Sequence, residues 1–252
     1  MKQASIRSWF VVASCALAAC GGKTVPSKSV AVDDDHAHKA AAPVDEDSDD
    51  NDEMELVSSR GRMEPAKVEK AMAPHTSAIA ACYTEAVAGR KWLGGELTLH
   101  WFVTADGTLE HLAVNNATLG AWPVEKCILA IARAIPFGAP KGGAADFTVP
   151  LTFSAKGAVE TWDEDRALAA VGSQLKKLHD CNKGGAAEGS VAVTAYVGPG
   201  GKVASVGFAT AEGAPQSDAW FDCAEKIAQK WRLPDPRGRY ARLSVVAQVA
   251  AP

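Results

Sequence analysis

These 252 residues carry no basic excess, no CxxC pair and no converging set of catalytic side chains. Each absence excludes something. Residues 56–252 hold 21 basic and 19 acidic groups, so the electrostatic footprint of a nucleic-acid-binding protein is missing. Without CxxC, the cysteines do not read as a metal ribbon or a dithiol redox pair. His75, His100, His111 and His179 fall in separate predicted elements and read as single side chains, not as a metal centre. Gly198, Gly200 and Gly201 lack the following helix and the lysine of a phosphate loop and read as hairpin glycines. A metal-dependent hydrolase would need a polar cleft with converging histidines and carboxylates, which no spacing here suggests. The expectation is a protein without catalysis, cofactor or metal, with no nucleic-acid partner and no evident small-molecule substrate.

Aromatic residues are missing from Thr24 to Val57, a stretch rich in Ala, Ser, Pro and acid that cannot bury enough apolar surface to fold. Between Asp33 and Glu55, eight Asp and three Glu stand against Lys39 alone. The net charge of −4 therefore hides an acidic linker on a nearly neutral remainder. His36 and His38 within it read as part of a solvated charge run. Long apolar runs are missing too. The run Trp9–Leu17, preceded by Lys2 and Arg7, is too short to span a bilayer as a mature helix and reads as an export signal. It ends in Leu17, Ala18, Ala19, Cys20, Gly21 and Gly22, which resembles the lipobox of bacterial lipoproteins. That resemblance implies cleavage before Cys20, lipidation of its thiol with diacylglycerol and palmitate, and, with Gly21 rather than Asp next, an outer-membrane address facing the periplasm or the cell surface. The expected divisions are a signal peptide 1–19 and a disordered acidic linker 20–57, which as a flexible coil reaches roughly 35 Å.

What is present is a repeat. GELTLHWFVTADGTLEHLAVN from Gly95 lies without a gap over GSVAVTAYVGPGGKVASVGFA from Gly189, at an offset of 94. Cys82 and Cys127 bracket the first copy, and Cys181 and Cys223 the second. Period-two alternation (Leu97, Leu99, Trp101, Val103; Val191, Val193, Ala195, Val197) predicts strands, and Asp106-Gly107 and Gly200-Gly201 predict hairpin turns. Helices are expected before each first cysteine, with Met72, Ile79, Cys82 and Tyr83 or Leu168, Val171, Leu175 and Leu178 buried, and a start or kink at Pro74. A second helix should bury Val124, Cys127, Ile128, Ile131 and Ile135, or Trp220, Cys223, Ile227 and Trp231, before a last strand. The expected fold is α+β, with two tandem αββαβ domains at 58–155 and 163–252. Each would be a three-stranded antiparallel sheet of order 2-1-3 with two helices on one face and the far face open.

Four cysteines allow three pairings, and the repeat selects Cys82 with Cys127 and Cys181 with Cys223, because each copy must have been viable alone. An exported chain permits the bonds, and closing loops of this size is worth roughly 3 to 4 kcal/mol. Among the tryptophans, Trp101 and Trp231 read as core, whereas Trp92 and Trp122 fall in predicted loops as candidates for an exposed contact surface. Asp163, Glu164 and Asp165 read as a helix cap.

Cys82-Tyr83, the hairpin from Gly95 to Val114, Cys127-Ile128, and the ending from Ile135 and Phe137 through Pro140 to Val149-Pro150-Leu151 and Phe153 resemble the AgmX/PglI C-terminal domain. That family occurs in myxobacteria and is related to TolA and to the C-terminal domain of TonB. Copy two departs from it, with Asn182 in place of the tyrosine and with Ala247 and Val249 in the ending. The resemblance implies a disulfide-bearing αββαβ fold and, by analogy with TonB, pairing of an edge strand with a peptide of an envelope protein. With no predicted transmembrane helix at the N-terminus, coupling to an inner-membrane motor is not expected. The partner contact is expected on the third strand, at Phe147, Val149, Leu151 and Phe153, with Trp92 and Trp122 as further candidates. The alternative is a structural envelope protein whose two sheets pair with each other.

Overall fold

Each hairpin grows from an alternating segment around a turn that glycine permits. β1 (Gly95–Val103) and β2 (Leu109–Ala117) pair antiparallel, with Leu97, Leu99 and Trp101 on one face without solvent exposure. Between them Gly107 takes φ 91° and donates to Thr104 O at 2.9 Å, while Asp106 accepts from the Thr108 hydroxyl at 2.9 Å. β3 (Ala145–Phe153) returns on the other side of β1, also antiparallel, which gives the order β2-β1-β3. With α1 (Pro65–Met72), α2 (Thr76–Ala86) and α3 (Trp122–Ala132), this half of the protein is α+β. Pro74 lies in a single 3-10 turn, Ala73–His75, that separates α1 from α2. The computed structural model of the chain describes residues 61–184, 189–210, 214–215 and 217–249. The predicted leader, Cys20 and the acidic linker lie outside the described residues.

The second half repeats these elements in register. β5 (Gly189–Val197) starts 94 residues after β1, and α5 (Asp218–Ala228) and β7 (Ala241–Val249) start 96 after α3 and β3. β6 (Val203–Thr210) and β7 flank β5, both antiparallel. The sheet departs from the predicted three strands. Glu160–Thr161 forms a short strand, β4, parallel to the start of β7, so the order is β4-β7-β5-β6. The segment expected to be a bare connection between 155 and 163 is thus part of the sheet. α4 (Glu164–Leu175) is capped by Asp163, whose side chain accepts from Arg166 N. Beyond it the chain tightens into a 3-10 helix, Lys176–Gly184, instead of continuing as the predicted α-helix to Cys181. Val171 and Leu178 are buried as the periodicity requires, but Leu168 is 40% exposed.

Both disulfides form as the repeat selects, with Cα separations of 5.9 Å for Cys82–Cys127 and 5.7 Å for Cys181–Cys223. The cysteines are not all on buried stripes, however. Cys82 is buried, Cys181 and Cys223 are intermediate and Cys127 is exposed. The buried face of α3 is rotated toward Trp122, Glu125, Ile128, Leu129 and Ala132, which leaves Cys127 at the rim where α2 meets α3.

The two halves belong to one compact unit, Glu55–Pro252, and share one hydrophobic core. The far face of the second sheet, expected to be open, is covered by the first half. Thr194, Tyr196 and Ser205 on that face are buried. Thr194 Oγ1 donates to Ala117 O at 2.9 Å, Ser205 Oγ to Gly120 O at 2.7 Å, and the Tyr196 hydroxyl to Gly94 O at 2.5 Å. Trp92 lies against the rings of Tyr196 and Tyr240, at 4.8 and 4.6 Å between centroids. Trp122 packs on Phe221 and donates its indole N–H to Asp222 at 2.8 Å. Both tryptophans are therefore buried at this junction, 7% and 1% exposed, and not on an outer surface. A tryptophan buries most area wherever a second surface comes within reach.

Gly207 marks the closest approach. A Cβ there would lie 2.0 Å from Glu125 Oε1 and 2.6 Å from Ala121 N. Gly207→Ala is expected to destabilise the protein by about 2 kcal/mol through forced separation of the halves, read as a lower urea midpoint.

Candidate functional site

A β-sheet edge offers unpaired N–H and C=O groups to another strand unless something occupies it. β2 is engaged by the second half: Val114 O accepts from Thr210 Oγ1 at 3.2 Å and Ala117 O from Thr194 Oγ1. β6 is closed by Glu125, whose Oε2 accepts from Phe208 N at 3.1 Å while Oε1 accepts from Ala121 N at 3.0 Å. At β7, β4 covers the first two residues, and Trp162 N donates to Arg242 O at 2.9 Å. Farther along, Leu243, Val245, Ala247 and Val249 are buried, so no groove accompanies that edge.

β3 differs. Its only strand neighbour among the described residues is β1. Gly61 and Arg62 bond to Ala144 and Lys141 just ahead of it, and from Asp146 onward the outer side carries no described strand. Asp146, Thr148, Pro150 and Thr152 are exposed, while Phe147, Val149, Leu151 and Phe153 are half-buried. The four residues predicted for partner contact are thus brought together on one face of this edge. Beside them runs a cavity of about 680 Å³ whose other wall is Met63, Pro65, Val68 and Met72. Phe147 is held by its cross-strand neighbour Trp101, stacked at 5.6 Å, and by Phe137, edge-on at 4.9 Å. At the far end Phe153 meets the ring of Tyr83 at 4.8 Å, and the Tyr83 hydroxyl bonds Leu93 O and Ser154 O at 2.8 and 3.0 Å. Burial raises the pKa of that phenol, which keeps it protonated as the donor. Asn182, at the corresponding place in the second half, is buried and accepts from the Trp220 indole at 2.8 Å.

Pro150 sets the pattern of donors. A proline in a sheet sits with its nitrogen on the unpaired side. Residues of the same parity, Thr148 and Thr152, then direct N–H and C=O outward, with a gap in donors between them. Its partner across the ladder is Thr98.

On the opposite face of the same sheet, His100 Nε2 lies 3.1 Å from Asp146 Oδ2, and the rings of His100, Phe102 and His111 stack in sequence at 4.2 and 3.7 Å. Histidines read as unrelated are in fact neighbours. Burial lowers the pKa of His111 and proximity to His100 lowers it further, while Glu110 opposes both. Among the described residues no group of three or more His, Cys, Asp or Glu is placed to hold a metal ion, and no helix is long and apolar enough to cross a membrane.

The sequence reading missed α1 as the second wall of the groove and Pro150 as an edge marker. A proline inside an alternating run was the available signal for the latter. Comparison of the chain with family models, curated proteins and solved structures finds no match.

Glu125 is the buried ionisable group on which the arrangement of edges turns. Burial pushes its pKa up from 4.5 to about 7, against the opposing effect of the two N–H donors. Below pH 4.5 the carboxyl is protonated in the folded and unfolded chain alike and does not weaken folding. From there to about 7 only the folded chain keeps the proton, so stability falls as pH rises. The expected total is about 3 kcal/mol for the shift cited. Urea titrations between these pH values should show that fall in the wild type and a flatter profile in Glu125→Gln.

Proposed function

We propose that the chain is a lipid-anchored protein of the cell envelope, without catalysis, that holds an envelope partner by adding a strand of that partner to β3. The β3 edge, which has no strand neighbour but β1 among the described residues and an apolar groove beside it, carries this reading. Main-chain bonds would supply affinity, and side chains at alternate positions of the partner would enter the groove between β3 and α1. The likeness to the AgmX/PglI and TonB C-terminal type supports it on the residues Cys82, Tyr83, Cys127, Pro150 and Phe153. The recurrence of strands and helices at offsets of 94 and 96, each copy with its own disulfide, supports two tandem αββαβ domains derived from one ancestor. On this reading the first domain is the contact module and the second a support, since the residues of β7 that correspond to the groove-lining ones of β3 are buried. The lipobox-like ending at Cys20 supports attachment to the outer membrane, facing the periplasm or the cell surface.

One observation favours the alternative of a purely structural protein with its sheets packed together: the contact through Tyr196, Trp92 and Glu125 is already satisfied within the chain. That contact engages β2 and β6 and leaves β3, which is why strand addition is preferred.

Thr148→Pro removes a second outward donor from β3 without touching its bonds to β1. In-cell photocrosslinking from position 152 is expected to recover an envelope protein with the wild type and to lose it in this variant. Recovery of no envelope protein from the wild type would count against the reading. Mass spectrometry of the membrane fraction should find the mature N-terminus at Cys20 carrying acyl chains, and Cys20→Ser should release the protein from that fraction.

A further inference from the structure

Three arginines converge in the second half, away from the β3 edge. Between α5 and β7 the chain makes a turn in which Asp235 Oδ1 accepts from Gly238 N at 2.9 Å and Arg239 N donates to Pro236 O at 3.2 Å. Arg237 lies in that turn at φ 57°, the one non-glycine residue with positive φ among those described. The turn forms one wall of a cavity of about 280 Å³ lined by Glu160, Arg166, Pro236, Arg237 and Arg239. The lining thus carries three arginines and one carboxylate, an excess of two positive charges. Arg166 is fixed in place, with Nη1 donating to Glu160 Oε1 at 2.5 Å and its guanidinium carbon 4.4 Å above the Trp162 ring. The side chains of Arg237 and Arg239 have no ion pair or hydrogen bond among the described residues. The turn places their Cα atoms at the rim of a cavity that Arg166 also lines, and a non-glycine residue enters such a turn only with strain. Packing gives no reason for this concentration, since both side chains are exposed. A bound dianion would neutralise it, and a tetrahedral one offers each fork a pair of oxygens.

We propose that this pocket binds a doubly charged oxyanion of the phosphate type, as carried by a phosphomonoester. The inference is independent of the strand-edge reading. The ligand's phosphate would bridge Arg237 and Arg239 and approach Arg166 from the side that Glu160 leaves open.

Isothermal titration of the full chain with sodium phosphate at low ionic strength tests it. Saturable binding is expected, weakened about tenfold or more in Arg237→Ala/Arg239→Ala, the loss of two charge-assisted contacts. Arg239→Lys, which keeps the charge and loses the fork, should fall between. Glu160→Gln should tighten binding, because the competing carboxylate is gone. Lys70→Ala, remote on α1, should leave it unchanged. With phosphate binding established, co-sedimentation with phosphatidylcholine vesicles that contain phosphatidic acid, and not with plain ones, would assign the phosphate to a lipid headgroup; its absence would assign it to a soluble ester. No saturable uptake by the wild type, or equal affinity in the double variant with an unchanged circular dichroism spectrum, overturns the proposal.

Discussion

A carboxyl group shut off from water stands where the two halves of this protein meet. Glu125 emerges from the first turn of α3, reaches back to the N–H of Ala121 and forward to the N–H of Phe208, and so satisfies a helix start and a sheet edge at once. Two unpaired backbone donors buried at this place would each have cost about 1 to 3 kcal/mol. One side chain removes both penalties, and it can do so only because Gly207 leaves room for it. Around it the contacts form a graded border: Tyr196 and Trp92 in the dry centre, then Asp222 between Lys126 and the Trp122 indole, then Arg133 with Asp218 toward solvent. Lys126 and Trp122 hold the Asp222 carboxyl below its ordinary pKa, whereas burial holds that of Glu125 above it.

That junction determines which surfaces remain available. It engages β6 through its edge and β2 through its carbonyls, and β4 takes the start of β7. What remains is β3, whose helix-side residues lie half open because α1 stands off from them. A strand whose outer side, from Thr148 to Thr152, meets no other strand among the described residues risks promiscuous pairing. Pro150 limits it, since any added strand must tolerate one missing bond, and a proline within a sheet discriminates among registers as much as it weakens them.

Much of this was legible in the sequence for a specific reason. Alternation in β1 and β5, the Asp106-Gly107 turn and the paired cysteines are local or repeated signals, and two copies with the same spacing gave each reading an independent check. Strand order followed from the short hairpin and the helical crossover. Among the features that were not legible, β4 and the 3-10 turn after α4 belong to the second half alone, and the others arise from contact between the halves. Thr194, Ser205 and Gly207 read as ordinary outward-facing residues, and nothing periodic distinguishes a polar side chain in water from one that bonds a neighbour's carbonyl. A comparison of the copies held a clue. Where the first strand has Thr98, His100 and Phe102, the second has Ala192, Thr194 and Tyr196, smaller until the last, as a face in close contact requires. The rotation of α3 that exposes Cys127 and buries Glu125 comes from the same contact, and helical periodicity alone could not choose between the two stripes.

The shared junction also bears on how the molecule came to be divided. A repeat usually suggests parts that can be cut apart and handled singly. Here the cut would lay bare Trp92, Trp122 and Ala121 on one piece and the face around Tyr196 on the other, apolar surfaces that would find each other again or find something worse. The surface between the two halves thus makes the repeated elements parts of one compact unit.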